Sequence, residues 1–145
     1  MGSVEIMALV AFVSGVTLLS VVVARRGRRR AQAALRMTFA RLQFDTPQGR
    51  VPGSSLRVVK ISRQAAGLAG DEAYGLFGDR QMPDAFWYCV GPGPSYFLAI
   101  ARADARPGGV SVDWIVRSLT EERMRGALLG DEKAIALAFG QAIEG

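Results

Sequence analysis

The chain has 145 residues and a formal net charge of +5, half of its residues are hydrophobic, and it has no histidine. The missing histidine excludes the usual catalytic triads and most zinc sites, and the single cysteine, Cys89, excludes an intramolecular disulfide. The excess positive charge lies in residues 1–45, whereas residues 46–145 contain equal numbers of acidic and basic side chains. The composition therefore does not predict the basic folded surface of a nucleic-acid-binding domain.

An uncharged segment of nineteen residues, 6–24, lies near the N-terminus. As a helix it would extend roughly 28 Å, close to the ~30 Å hydrocarbon thickness of a bilayer. Its eleven Leu, Ile, Val and Phe residues favour insertion by roughly 3–7 kcal/mol, so we expect a transmembrane helix. A cleaved signal peptide is an alternative, but its positive charge would precede the apolar stretch, where this chain has only Glu5. A core helix without a polar face would need a larger protein around it.

Five arginines follow this segment at once, and none precedes it: Arg25, Arg26, Arg28, Arg29 and Arg30. Basic residues beside a span stay on the cytoplasmic side. The pattern therefore predicts residues 1–5 outside and the C-terminal domain in the cytoplasm. Contact with anionic lipid headgroups is a second expected role. Arginine outnumbers lysine sixteen to two, a usage associated with GC-rich bacterial genomes, and we expect the protein in a bacterial plasma (inner) membrane.

Small side chains lie along one face of the predicted span, at Ala8, Ala11 and Gly15. Such spacing lets two helix backbones approach closely, and it predicts a helix–helix contact in the membrane.

Residues 25–42 are predicted to form a basic juxtamembrane stem. Its apolar residues Leu35, Phe39 and Leu42 recur at helical spacing, so the stem either lies on the headgroups as a helix or begins the domain. We expect a first strand near 40–44, a loop over 46–55 because of its Pro, Gly and Ser content, and a strand over 56–61. Four glycines interrupt residues 63–80, which favours a short helical turn and a mobile loop.

Three strands are predicted next. Residues 85–90 and 96–102 are almost wholly apolar and are joined by a Gly- and Pro-rich connection that favours a hairpin. Strands this apolar are expected to be covered on both faces, or to present one face to a partner. Residues 110–116 alternate, with Trp114 facing one way and Ile115 the other. The short connections favour antiparallel neighbours.

Two helices are predicted at the C-terminus. Ser118 and Glu121 have the spacing of a capping box, and Asp131 is the expected N-cap of the second helix. The second helix has an apolar stripe made of Ile135, Ala138, Phe139, Ala142 and Ile143. The predicted fold class is α+β: a single N-terminal transmembrane helix, then a small domain over 43–145 with a mainly antiparallel sheet and two C-terminal helices.

The sequence lacks the motifs that predict catalysis. It has no G-x-S-x-G, no phosphate-binding P-loop with its lysine, and no C-x-x-C. The acidic residues match no metal-binding spacing, and Cys89 is expected to be a buried apolar residue. We therefore predict no enzyme, no cofactor and no metal. An active site assembled only by the fold remains an alternative.

Aromatic residues concentrate in two predicted strands, at Phe86, Trp87, Tyr88, Tyr96 and Phe97. The core is the first interpretation of this cluster, and a surface for a partner is the second, because Trp and Tyr are favoured at interfaces.

These features together predict a non-catalytic single-pass accessory or adaptor subunit of a larger membrane protein complex, with a small cytoplasmic interaction domain. A membrane-tethered sensor or small-ligand-binding domain is the alternative. The expected partners are an integral membrane protein complex and anionic lipid headgroups, not nucleic acid, and a homo-oligomer is left open.

Overall fold

A computed structural model describes residues 27–63, 75–78 and 82–140. These residues form an α+β fold with antiparallel sheets, as predicted. Helix α1 covers 27–41, and the remaining elements follow in chain order: β1 (Gln43–Thr46), β2 (Gly49–Pro52), a 3-10 turn (Gly53–Ser55), β3 (Arg57–Ser62), β4 (Ala85–Gly91), β5 (Ser95–Arg106), β6 (Gly109–Leu119), α2 (Glu121–Ala127) and α3 (Glu132–Phe139).

The predicted span, residues 6–24, lies outside the described residues together with Ala8, Ala11, Gly15, Arg25 and Arg26. In the part of the chain that is described, no helix combines the length and apolarity needed to cross a membrane.

The main sheet has four strands in the order β3-β4-β5-β6, and every neighbouring pair is antiparallel. The predicted hairpin between β4 and β5 is confirmed, and Gly91 pairs with Ser95 at its end. Gly93 in its turn has a φ of 116°, a conformation that favours glycine. Strands β5 and β6 continue beyond the predicted limits because of their pairing: 103–106 of β5 pair with 109–112 of β6, and 117–119 of β6 pair with 96–98 of β5.

Both faces of this sheet are covered. Strand β4 alternates between two cores, with Phe86 and Tyr88 packed on the side of α2 and α3, and Trp87 and Cys89 on the side of α1 and the β1–β2 hairpin. This arrangement explains why the strand is apolar at nearly every position. Of the two interpretations offered by the sequence, the structure therefore supports strands covered on both faces.

Helix α1 is the first element of the domain. Leu35 and Phe39 are buried against the sheet, and the Trp114 indole Nε1 donates a hydrogen bond of 2.8 Å to Thr38 Oγ1. The helix therefore lies on the sheet, and the folded unit includes residues before the predicted boundary at 43.

Three local predictions need correction. Residues 46–55, expected as a loop, contain β2 and the 3-10 turn, since a two-residue turn is enough to reverse the chain after β1. The first strand begins at Gln43. Ser118 lies within β6, and the N-cap of α2 is Thr120, which accepts a hydrogen bond of 3.2 Å from the Arg123 backbone N–H.

The second C-terminal cap is confirmed: Asp131 Oδ1 accepts from the Ala134 backbone N–H at 3.0 Å and begins α3. Ala138 of the predicted stripe is buried, and Ile135 and Phe139 pack against the same core. Ala142 and Ile143 lie outside the described residues.

Candidate functional site

A cleft lies along one side of α1, where this helix passes the end of β3 and the start of β4. It consists of two adjoining cavities of about 500 and 160 Å³. Both are lined by Gln32 and Leu35 of α1, by Arg63 after β3, and by Asp84 before β4. We call this feature the α1 cleft.

Helical spacing brings the α1 residues to the cleft. Arg28, Gln32, Leu35 and Arg36 recur at i, i+4, i+7 and i+8, so they lie on one side of the helix. Leu35 reaches the core, whereas the two arginines and Gln32 are exposed. The helix thus gives the cleft an apolar interior and a polar rim.

The opposite rim presents apolar side chains to solvent. Ile61 of β3 is 62% exposed and Met82 is 40% exposed, and each lines one of the two cavities. Exposed apolar residues beside a concave site are typical of surfaces that bind an apolar group.

The charges around the α1 cleft are mainly positive: Arg28, Arg36 and Arg63 face one acidic residue, Asp84. The Asp84 carboxylate Oδ2 accepts a 2.7 Å hydrogen bond from the Ala103 backbone N–H, and its backbone N–H donates to Ala101 O at 2.9 Å. Asp84 therefore ties the start of β4 to β5. The excess of arginines favours an anionic group at the rim.

Trp87 forms part of the wall of the smaller cavity. It is 7% exposed, and among the described residues its indole Nε1 is buried without a hydrogen-bond acceptor. The second tryptophan, Trp114, has its Nε1 bonded to Thr38. A buried donor without an acceptor costs about 1–3 kcal/mol, and the Nε1 atom itself is not exposed to the cleft.

The predicted aromatic partner surface needs correction. Phe86, Trp87, Tyr88 and Phe97 are buried in the two cores, and Tyr96 is half-buried beside Phe139. They do not form an exposed contact surface, because helices cover the sheet on both sides. Trp87 enters the candidate site only through its place in the cleft wall.

Of the five arginines predicted to orient the membrane helix, Arg25 and Arg26 lie outside the described residues, and the other three lie in α1. Arg28, Arg29 and Arg30 are exposed in the first turn of the described helix, and Arg28 also lines the α1 cleft.

The Cys89 thiol and the Tyr88 hydroxyl could act as nucleophiles if deprotonated, but both residues are buried in the cores. Burial raises the pKa of the Cys89 thiol to about 12, and it does the same for the Tyr88 hydroxyl. Glu121 pairs with Arg125 at 3.0 Å on the surface of α2. Within the described residues, no group of three His, Cys, Asp or Glu side chains could hold a metal ion.

Sequence reasoning missed the α1 cleft, because its residues come from separate parts of the chain. The spacing of Arg28, Gln32 and Arg36 on one side of a helix was the available signal, and nothing in the sequence marked Met82 or Ile61 as their neighbours. In comparisons with known proteins, no family model, curated protein or solved structure matches the chain.

Proposed function

We propose that this protein is a non-catalytic single-pass membrane accessory subunit, whose small α+β domain binds a partner at the cytoplasmic surface of the plasma membrane. The observation that carries the proposal is the short separation between the predicted span and the domain. Ala24 ends the uncharged segment, and α1 is already helical at Gly27. The three backbone steps from Ala24 to Gly27 extend at most about 11 Å.

The packing of α1 on the sheet means that the short separation from the predicted span applies to the whole domain. Because Leu35 and Phe39 lie in the core, α1 moves with the domain and does not act as a flexible linker. A span over 6–24 would therefore hold the sheet and its helices next to the headgroups. A domain in this position is suited to contact another protein of the same membrane.

The titratable side chains of the described region support binding more than catalysis. The Cys89 thiol and the Tyr88 hydroxyl are buried, with pKa values raised to about 12, and Asp84 is engaged by a backbone N–H. Neither the Cys89 thiol nor the Tyr88 hydroxyl is placed to accept or donate a proton near neutral pH.

Affinity purification of the full chain from membranes in a mild detergent tests the adaptor proposal. We expect the same integral membrane proteins to co-purify reproducibly, as identified by mass spectrometry. A variant carrying Ala11→Leu and Gly15→Leu should lose partners that contact the small-residue face. The matched control, Val10→Leu with Val16→Leu, changes large residues only. Recovery of the chain alone would contradict the proposal.

The α1 cleft favours a second candidate, a membrane-tethered domain that binds an anionic amphiphile. Its larger cavity of about 500 Å³ is within the usual range for ligand sites. The arginine rim suits a phosphate or carboxylate, and the exposed Ile61 and Met82 suit an acyl chain. Arg28, which lines one end of the cleft, comes four residues after the end of the predicted span, and this closeness in the chain supports a lipid ligand.

Calorimetric titration of the full chain with a short-chain phosphatidylglycerol tests this candidate. Arg63→Gln removes one positive charge from the rim that borders both cavities, so we expect binding about tenfold weaker. Arg123→Gln is the control, because it removes the same charge from an exposed residue that does not line the cleft. Inorganic phosphate and a zwitterionic short-chain lipid separate charge from the apolar contribution. Equal binding by wild type and Arg63→Gln would contradict this site.

A further inference from the structure

In the part of the chain that the structure describes, one edge of the outer strand β6 pairs with no other strand. Among the described residues β6 pairs with β5 alone, through eleven consecutive residue pairs without a register shift. Strands of this length at the edge of a sheet present a row of unpaired backbone groups, which another strand can join.

The opposite edge of the sheet is protected. Strand β3 has six residues, and its register shifts between Val58 and Lys60. Arg57 Nη1 donates to Leu137 O at 2.9 Å, and Lys60 Nζ donates to Ala127 O at 3.2 Å. An irregular register and long basic side chains are the means by which proteins block edge pairing. Strand β6 has an unbroken register.

We infer that β6 pairs antiparallel with β6 of a second copy of this chain, around a two-fold axis at Ile115. In a symmetric antiparallel pair the axis passes through one residue position, and opposite residues lie equally far from it. With the axis at Ile115, Asp113 lies opposite Arg117 of the second copy, and this contact occurs twice. Trp114 then lies opposite Val116.

Other registers lose this charge complementarity. With the axis at Trp114 or Val116, neither Asp113 nor Arg117 faces a residue of the other sign of charge. An axis at Asp113 or Arg117 places two like charges together, which is destabilising. The axis at Ile115 is therefore the register that the sequence of the edge favours.

The side chains of this edge are accessible. Asp113 and Arg117 are exposed, as is Val116, and neither charged residue forms an ion pair with another described residue. Within its own sheet Arg117 lies beside Leu98. Pairing of the two edges would produce a continuous eight-stranded sheet. This inference rests on the sheet alone and does not depend on the proposed function.

The full chain in detergent, measured by light scattering over a range of concentrations, should be a dimer. Asp113→Arg and Arg117→Asp each place like charges opposite one another, and each should raise the dimer dissociation constant about tenfold. The double variant exchanges the two charges and should restore the wild-type value. Asp45→Arg is the matched control, since it breaks an exposed ion pair with Arg50 on the β1–β2 hairpin. Circular dichroism verifies that each variant is folded.

Cross-linking tests the register. Because the one native cysteine, Cys89, is buried, new cysteines can be oxidised selectively. A mixture of Asp113→Cys and Arg117→Cys chains should form disulfides between unlike chains, and each variant alone should form few. A monomer at all concentrations would overturn the inference, as would a dimer that does not respond to Asp113→Arg.

Discussion

Gly53 lies where the end of α1 and the β1–β2 hairpin come together. Its backbone N–H donates to Leu42 O at 2.7 Å, and a Cβ added here would clash with the Phe39 carbonyl oxygen. The side chain of Phe44 also lies close by. This glycine is therefore required for close packing, not for an unusual backbone angle.

Gly53→Ala should lower the free energy of unfolding by about 1–3 kcal/mol, because either the backbone or the helix must shift. Gly126→Ala is its matched control within the same chain. Gly126 lies in α2 with no atom within 4 Å of an added Cβ, so alanine should stabilise by about 0.5–1 kcal/mol. Urea denaturation of the full chain in detergent measures both changes. Two effects of the same sign would contradict this account.

The burial of Cys89 makes the stability of the folded protein depend on pH in the alkaline range. Burial raises the pKa of its thiol from 9.0 to about 12. Above pH 9 the unfolded chain releases the thiol proton, whereas the folded chain retains it. The free energy of unfolding therefore falls as pH rises from 9 to 12, by up to about 1.4 kcal/mol for each pH unit. Below pH 9 this group causes no change.

The unfolding temperature should therefore fall between pH 9 and 11, and Cys89→Ala should show a shallower fall. Tyr88, whose pKa burial raises from 10.0 to about 12, contributes only in the upper part of this range. Tyr88→Phe should flatten the curve above pH 10 alone. Identical slopes for wild type and Cys89→Ala would refute the buried neutral thiol.

At the scale of secondary structure, α1 decides whether the region after the predicted span is a stem or part of the domain. Phe39 makes ring contacts with Phe44, Trp87 and Trp114 at centroid distances of 5.7, 4.9 and 5.5 Å. These partners belong to the hairpin and to two strands of the sheet. One side chain of α1 thus joins three other elements.

Phe39→Ala should lower the free energy of unfolding by about 3–5 kcal/mol, the usual cost of deleting a buried ring. Met37, on the same helix and 61% exposed, is the control, and Met37→Ala should change stability by less than about 0.5 kcal/mol. Chemical denaturation monitored by tryptophan fluorescence measures both. Equal effects would mean that α1 does not pack on the sheet in solution.

The predictability of each element follows from its physical signal. Strands β3 and β4 were predicted closely, because hydrophobic runs bounded by turn residues mark them. Strand β2 was missed, since Gly49, Arg50 and Pro52 give it no apolar alternation. The sequence also does not predict the outer part of β5, residues 103–106. These residues are in a strand because they pair with β6, and not because they are buried.

For the whole molecule, the proposal makes a prediction about topology. A reporter that is active only after export should be inactive when fused to the C-terminus, and the chain should resist extraction by alkaline carbonate. Replacing Arg25, Arg26, Arg28, Arg29 and Arg30 with glutamine should invert a fraction of the molecules, because this cluster sets orientation. The same five positions changed to lysine provide the control and should keep the original topology. Extraction of the intact chain by carbonate would contradict the proposal.

By itself, the sequence determined the α+β class, the antiparallel central strands, the alternation of β6, and the Asp131 cap. These features depend on local periodicity, turn residues and side-chain chemistry, which can be read within a short window. Only the tertiary structure decided that α1 packs on the sheet and that Trp87 borders a cleft with arginines from α1 and from the end of β3. It also decided that, among the described residues, β6 pairs on one side alone. Each of these depends on which distant segments meet, and the free energy of such long-range packing is not contained in any single segment.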